Sequence, residues 1–320
     1  MKLVFCGTPR FAVPTLEVLI AAEHEIALAV TQPDRPVGRA KELTAPPVKT
    51  AALAANLEVT QPEKIRDNQE FRARLEAIAP DAIVVVAYGR LIPPWMLALP
   101  RLGCINLHAS LLPRFRGAAP IQWAVAMGEV FTGNTTMLLE EGLDTGPILL
   151  QQALAIGTEQ TAAELFDVLA EGGAPLVVKT LAGLDDGSIE PKPQNHAGAT
   201  LAPILTREDG RMDFAARTAT ELKNRWRGFQ PWPGAFTTLG GKKLIVHRLG
   251  VAEASTFTAP STADPGLIHV ESHRLFAACA GNTWLELLEV QLEGKKRMTA
   301  AEFLRGNALA QGSRLGTQAQ

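Results

Sequence analysis

Asn106 and His108 stand two residues apart in the stretch Gly103-Cys-Ile-Asn-Leu-His-Ala-Ser-Leu-Leu-Pro-Arg-Phe-Arg-Gly-Ala-Ala-Pro120. The stretch opens as a strand after a Pro-Arg-Leu-Gly break. Alternate residues of a strand share a face, so the amide and the imidazole project together. An amide N–H can donate to a developing oxyanion, and a histidine can take up or release a proton near neutral pH. A third group, Asp144, lies between Gly142 and Gly146, where the backbone can bend tightly around a ligand. A carboxylate there can orient an imidazole or balance its protonated form. Each residue alone has an ordinary use: Asn106 capping a turn, His108 as a hydrogen-bonded histidine, Asp144 accepting from its own backbone. Together they suit a reaction whose substrate brings its own nucleophile. Cys104 shares the strand parity of Asn106 and is the alternative nucleophile, although small buried thiols are common in strands.

These groups need a sheet to hold them. Lys2–Cys6, a helix from about Ala12 to Ala22, and Glu25–Thr31 form a strand–helix–strand unit, which implies a parallel sheet. The first loop, Gly7-Thr8-Pro9, lacks G-x-G-x-x-G, so a dinucleotide pyrophosphate site is not expected. Asp81–Ala87 is apolar on both faces, as a central parallel strand requires, and ends at Tyr88-Gly89. The loops at Gly7, Tyr88-Gly89 and His108 then share the sheet edge where ligands of open α/β folds bind. Helices are expected over 46–56, 68–79 and 119–127, and two more, 161–169 and 174–184, flank Gly172-Gly173. Strands 135–139 and 148–156 are expected to pair. The segment 33–41 reads as a basic loop carrying Arg35, Arg39 and Lys41, either a solvated surface or a grip on a phosphate-bearing partner.

At 320 residues the chain suggests two domains, divided as 1–190, a linker 191–206, and 207–320. After a helix over 215–227, short β runs at 235–239, 243–251, 266–270, 275–280 and 284–290 argue for a small antiparallel barrel of the OB type. Lys295, Lys296 and Arg297 form its densest basic run, and 309–320 reads as a frayed tail. The net charge of −2 hides a division: 16 basic and 22 acidic residues up to 204, then 15 and 11. A basic second part permits contact with a polyanion. The three cysteines, Cys6, Cys104 and Cys279, form no metal-binding or disulfide pattern, which suits a reducing compartment. No signal peptide and no apolar run of about 20 residues is present, so a cytoplasmic chain without membrane contact is expected.

Asn-x-His followed by Ser-Leu-Leu-Pro-x-(aromatic)-Arg-Gly-Ala-x-Pro, with Asp144 in Leu-Asp-Thr-Gly, resembles the formyltransferases that use 10-formyltetrahydrofolate. The Gly-Thr-Pro-x-Phe start, Gln-Pro-Asp-Arg-Pro-x-Gly-Arg, Val-Val-Ala-Tyr-Gly and Pro-Trp-Pro at 231–233 narrow the resemblance to the branch acting on initiator methionyl-tRNA. The likeness covers nearly the whole chain. It implies a Rossmann-like parallel-sheet α/β domain followed by an OB-fold-like β-barrel domain that binds tRNA. It makes Asn106, His108 and Asp144 the catalytic set. Ser110, Leu111, Leu112, Pro113, Tyr88, Gly89 and Glu140 would surround the folate. Arg35, Arg39 and Lys41 would meet the acceptor arm, with Lys295, Lys296 and Arg297 on the barrel. A monomer without a metal is implied. Ala109 and Leu201 stand where relatives often carry glycine and tyrosine. The alternatives are the same transfer to an amino-sugar nucleotide or glycinamide ribotide, hydrolysis of the formyl-folate, and a non-catalytic RNA-binding protein.

Overall fold

The computed structural model describes residues 1–37, 42–258, 260 and 262–316. Arg39 and Lys41 lie outside the described residues. The chain forms two compact units, one of Met1–Ile121, Phe131–Ile156 and Glu164–Pro203, the other of Gln122–Val130, Gly157–Ala163 and Ile204–Gln320. In chain order the elements up to residue 185 are β1 (Lys2–Gly7), α1 (Val13–Ala21), β2 (Glu25–Val30), β3 (Arg35–Val37), β4 (Glu42–Thr44), α2 (Pro47–Ala54), β5 (Val59–Thr60), α3 (Gln69–Ile78), β6 (Ala82–Val86), α4 (Pro94–Leu97), β7 (Cys104–His108), α5 (Pro120–Ala126), β8 (Phe131–Leu138), β9 (Ile148–Ala155) and α6 (Ala162–Asp185).

The described residues of the first unit hold a seven-stranded sheet in the order β5-β2-β1-β6-β7-β8-β9. The first five are parallel, and β8 and β9 run antiparallel to their neighbours. Strand order reverses between β1 and β6, which opens a crevice at their carboxyl ends. Val4 and Cys6, Leu28 and Val30, and Ile83 and Val85 lie two apart on their strands and meet one core with Phe71, Leu75 and Met96. The helix α3 supplies Phe71 and Leu75, four apart on one face; Asn68 caps it by accepting from the Phe71 amide at 3.0 Å.

Three local expectations are corrected. The segments 161–169 and 174–184 are one helix, α6, with Pro175 inside it. Gly172-Gly173 is not a break: a Cβ on Gly173 would sit 2.7 Å from Leu107 Cδ2, so the glycine lets the helix approach β7 closely. The segment expected as a loop at 33–41 contributes β3 to a two-stranded hairpin with β4. Residues 191–203, expected within a linker, pack with the first unit. There Lys192 exchanges backbone hydrogen bonds of 2.8 Å with Ile148, and Leu201 bridges Arg116.

The second unit carries α7 (Ala219–Gly228), β10 (Phe236–Leu239), β11 (Lys242–Ala252), β12 (Ile268–Glu271), β13 (Arg274–Cys279), β14 (Thr283–Leu292), β15 (Met298–Thr299) and α8 (Ala300–Gly306). Its antiparallel path is β10-β11-β14-β13-β12, with β15 beside β14. The helix starts at Thr218 rather than 215, because Thr218 and Glu221 form a reciprocal capping box. The tail is not wholly frayed. Leu315 bridges Leu239 at the β10 edge, and Arg314 bridges Leu267 beside β12, so residues 313–316 join the two edges. An unpaired sheet edge exposes its amides and carbonyls, and the tail satisfies them. Leu315 itself is 4% exposed and packs with Leu244, Leu285 and Phe303. Leu315→Ala should therefore cost about 2–5 kcal/mol of stability in a urea titration; a change under about 0.5 kcal/mol, the range for surface sites, would mean that the tail does not close this sheet.

Candidate active site

In β7, Asn106 lies opposite Val85 on one side and Met137 on the other, and His108 lies opposite Thr135. These flanking strands fix the two side chains on one face at the carboxyl end of β7. His108 is 6% exposed, and its Nε2 is 2.8 Å from the Phe115 carbonyl oxygen. A carbonyl can only accept, so Nε2 is the donor and carries the proton in the neutral ring. The Asp144 Oδ2 atom stands 3.6 Å from the other nitrogen, Nδ1, and accepts from the Gly117 amide at 2.8 Å. At 3.6 Å the imidazole and carboxylate sit just beyond hydrogen-bond length, as catalytic hydrogen bonds often do without substrate. Asn106 is half-buried, and among the described residues its amide has no side-chain hydrogen-bond partner. It is a donor left free for something else.

Two backbone groups that flank Arg116, the Phe115 carbonyl and the Gly117 amide, thus hold the ring and the carboxylate. Phe115 and Asp144 reach their places with φ of 59° and 51°. Left-handed conformations are costly for residues with a Cβ and persist only where surroundings enforce them. For Phe115 the enforcement comes from 200–202. Phe115 N donates to Thr200 Oγ1 at 2.8 Å, Arg116 N to Thr200 O at 2.8 Å, and Ala202 N to Arg116 O at 2.7 Å. Gly117 has φ 119°, and a Cβ there would meet Ala202 O at 2.7 Å, so only glycine fits. Sequence reading missed this role for 200–202, and it missed Gln194, whose amide donates to Asp144 O and Gly146 O. A lone glutamine in Pro-Lys-Pro-Gln carries no signal of burial. Arg116 stood inside the motif with no role assigned.

The other expected residues divide by where their side chains go. Ser110 is fully buried and donates to Arg114 O at 2.6 Å; Leu112 is buried; Leu111 and Pro113 are half-buried. Thr135 Oγ1 donates to Ser110 O and accepts from Leu112 N, which pins this turn to β8. Glu140 is exposed on the loop after β8. The Tyr88 ring packs inside, while its carbonyl accepts from Thr8 Oγ1 at 3.0 Å and Gln32 Nε2 at 3.2 Å. Tyr88 and Gly89 line an open cleft of about 410 Å³ with Thr8, Gln32, Arg35 and Ala87, at the crevice between β1 and β6. Lys295 and Lys296 are exposed, whereas Arg297 is paired with Glu289. Among the described residues no contact brings Arg35 to the Asn106 face.

The residues 1–181 match the family model described as formyl transferase, and 204–308 match the formyl transferase C-terminal domain. The methionyl-tRNA formyltransferase of Acidobacterium capsulatum is 66% identical over 316 residues, covering 99% of this chain and 100% of the relative. That of Koribacter versatilis is 57% identical, covering 99% of each. A solved N-formyltransferase from Helicobacter canadensis, in complex with folinic acid and dTDP-3-aminofucose, superposes with a TM-score of 0.64 at 16% identity, over 90% of this chain and 98% of that one. HypX from Aquifex aeolicus, in complex with tetrahydrofolic acid, superposes with a TM-score of 0.57 at 15% identity; this chain spans 47% of its length. Those two likenesses concern the fold.

The thiols are poorly placed to act as nucleophiles. Burial pushes Cys104 up to about 12 and Cys279 up to about 12, and burial together with nearby Cys104 raises Cys6. The thiol of Cys104 also donates to the Met96 carbonyl at 3.4 Å. Since the thiolate is the reactive form, iodoacetamide at pH 8 should leave the folded protein unlabelled by mass spectrometry and label all three cysteines after unfolding. Fast labelling of Cys104 in the folded chain would reopen its nucleophilic role.

Proposed function

The chain belongs to the methionyl-tRNA formyltransferase family, and we propose that it transfers the formyl group of 10-formyltetrahydrofolate to the free α-amino group of initiator methionyl-tRNA. The product is N-formylmethionyl-tRNA for translation initiation. The observation that carries the site assignment is the free Asn106 amide beside the His108–Asp144 pair, at the sheet edge where α/β folds take ligands.

The formyl donor suits the surroundings. Leu91 is 83% exposed and Leu143 is 56% exposed, on the loops that follow β6 and β8. A flat heterocycle gives such apolar side chains cover while exposed backbone meets its polar edge. When bound, the folate supplies the formyl carbon and a leaving nitrogen. The methionyl amine forms the new C–N bond as the carbonyl electrons move onto oxygen. Asn106 donates to that oxyanion. Both nitrogens of His108 face protein acceptors here, so its imidazolium stabilises the oxyanion by charge at short range. Asp144 balances the imidazolium and assists the passage of the proton lost by the amine to the leaving nitrogen, whose bond to the formyl carbon breaks as the oxyanion collapses. No protein nucleophile takes part.

The division of labour we assign is catalysis in 1–190 together with 191–203, which pack with the first unit, and tRNA binding in 207–320. Arg35, Arg39 and Lys41 meet the acceptor end, and Lys295, Lys296 and Arg297 extend the basic surface. The setting is the cytoplasm and the active species a monomer.

The test mixes the protein with 10-formyltetrahydrofolate and charged initiator tRNA and follows formyl-methionine. Formylation of an amino-sugar nucleotide or of glycinamide ribotide, but not of methionyl-tRNA, overturns the acceptor. Formate release without tRNA indicates the hydrolase. Asn106→Ala and His108→Ala should each lower kcat by about 10²–10³-fold at saturating substrates; near-normal turnover by either removes that residue from the mechanism. Lys295→Ala should raise the KM for tRNA and flatten its log–log salt slope by about 1, and an unchanged slope would place tRNA elsewhere.

A further inference from the structure

Arg116 and Gln194 have no part in the transfer as written, yet they are 7% and 6% exposed. The Gln194 Nε2 donates to Asp144 O at 2.9 Å and Gly146 O at 2.7 Å; its Oε1 accepts from Arg116 Nη2 at 2.6 Å and Nε at 3.2 Å. A side-chain amide offers two donors and two lone pairs, and all are used. Arg116 Nη2 also donates to His196 Nδ1 at 3.1 Å. Among the described residues no carboxylate pairs with Arg116. A buried guanidinium held only by neutral groups is costly, so it is not explained as a stabilising ion pair.

We propose that Arg116 and Gln194 are positioning residues that set the spacing of His108 and Asp144. The inference rests on the assignment of that pair given above. The connections form a closed ring. His108 donates to Phe115 O, the next residue is Arg116, Gly117 N donates to Asp144, and Gln194 ties the backbone of Asp144 back to the Arg116 side chain. A slip of any member changes the 3.6 Å approach of ring and carboxylate.

Gln194→Glu separates this role from simple support. It keeps the size and gives Arg116 an anionic partner, but it removes both N–H donors and turns carboxylate lone pairs toward the Asp144 and Gly146 carbonyls. The expected result is a kcat lower by about 10- to 10²-fold, the scale of a misplacement near 1 Å. The KM for both substrates and the thermal transition should stay close to those of the parent. Arg116→Lys, which keeps the charge and loses the fork, is expected to show the same split and serves if Gln194→Glu does not fold. In an Asp144→Asn background, Gln194→Glu should add no further loss, because residues acting as a unit are not additive. Full activity of Asp144→Asn would overturn the assignment of the pair itself. A depressed Asp144→Asn with parental kcat in Gln194→Glu, or fully additive losses in the double variant, would overturn the positioning role alone.

Discussion

The hydrogen bond from His108 Nε2 to the Phe115 carbonyl is the contact on which the site depends. A histidine ring has two nitrogens and can turn over, so its chemistry is undefined until one of them is fixed. A backbone carbonyl fixes it without adding a charge, and the other nitrogen is thereby aimed at Asp144. The same turn then holds Asp144 through the Gly117 amide. One three-residue segment sets both halves of the pair. The requirement propagates outward: Phe115 must take a left-handed conformation, position 117 must be glycine, and 200–202 must run alongside to hold the turn.

Asn106 is the complementary case. The amides of the turn are spent on protein acceptors, whereas the Asn106 amide is not. Leaving a half-buried donor unpaired costs stability, and such a cost is retained where a ligand supplies the acceptor. In the proposed role as donor to the formyl oxygen, a half-buried amide makes a stronger bond than one in bulk water. The strand that carries it is held between a parallel neighbour, β6, and an antiparallel one, β8, and needs no loop to keep its aim.

Much of this was legible from residue pattern. The parity of Asn106 and His108 follows from a period of two, and β1, β2 and 82–86 show as near-continuous apolar runs, both of which depend only on local sequence. What escaped depends on partners far away in the chain. Gly172-Gly173 looks like a break until Leu107 is known to lie against it. The tail at 313–316 looks frayed until the edges at Leu239 and Leu267 are seen to lack partners. Gln194 sits in a proline-rich polar stretch, and only its four hydrogen bonds mark it as part of the site. Pattern reports which face a residue takes; it does not report which distant backbone group waits there.

The central claim, that the Phe115 carbonyl fixes His108 with its proton on Nε2, is tested most directly by nitrogen-15 NMR of the histidine-labelled protein above the titration range of the ring. The account predicts that the His108 spectrum, assigned by its loss in His108→Ala, shows a protonated Nε2 and an unprotonated Nδ1. A scalar coupling from Nε2 to the carbonyl carbon of labelled Phe115 should accompany it. An unprotonated Nε2 with the proton on Nδ1, or rapid averaging between the two forms, would contradict it.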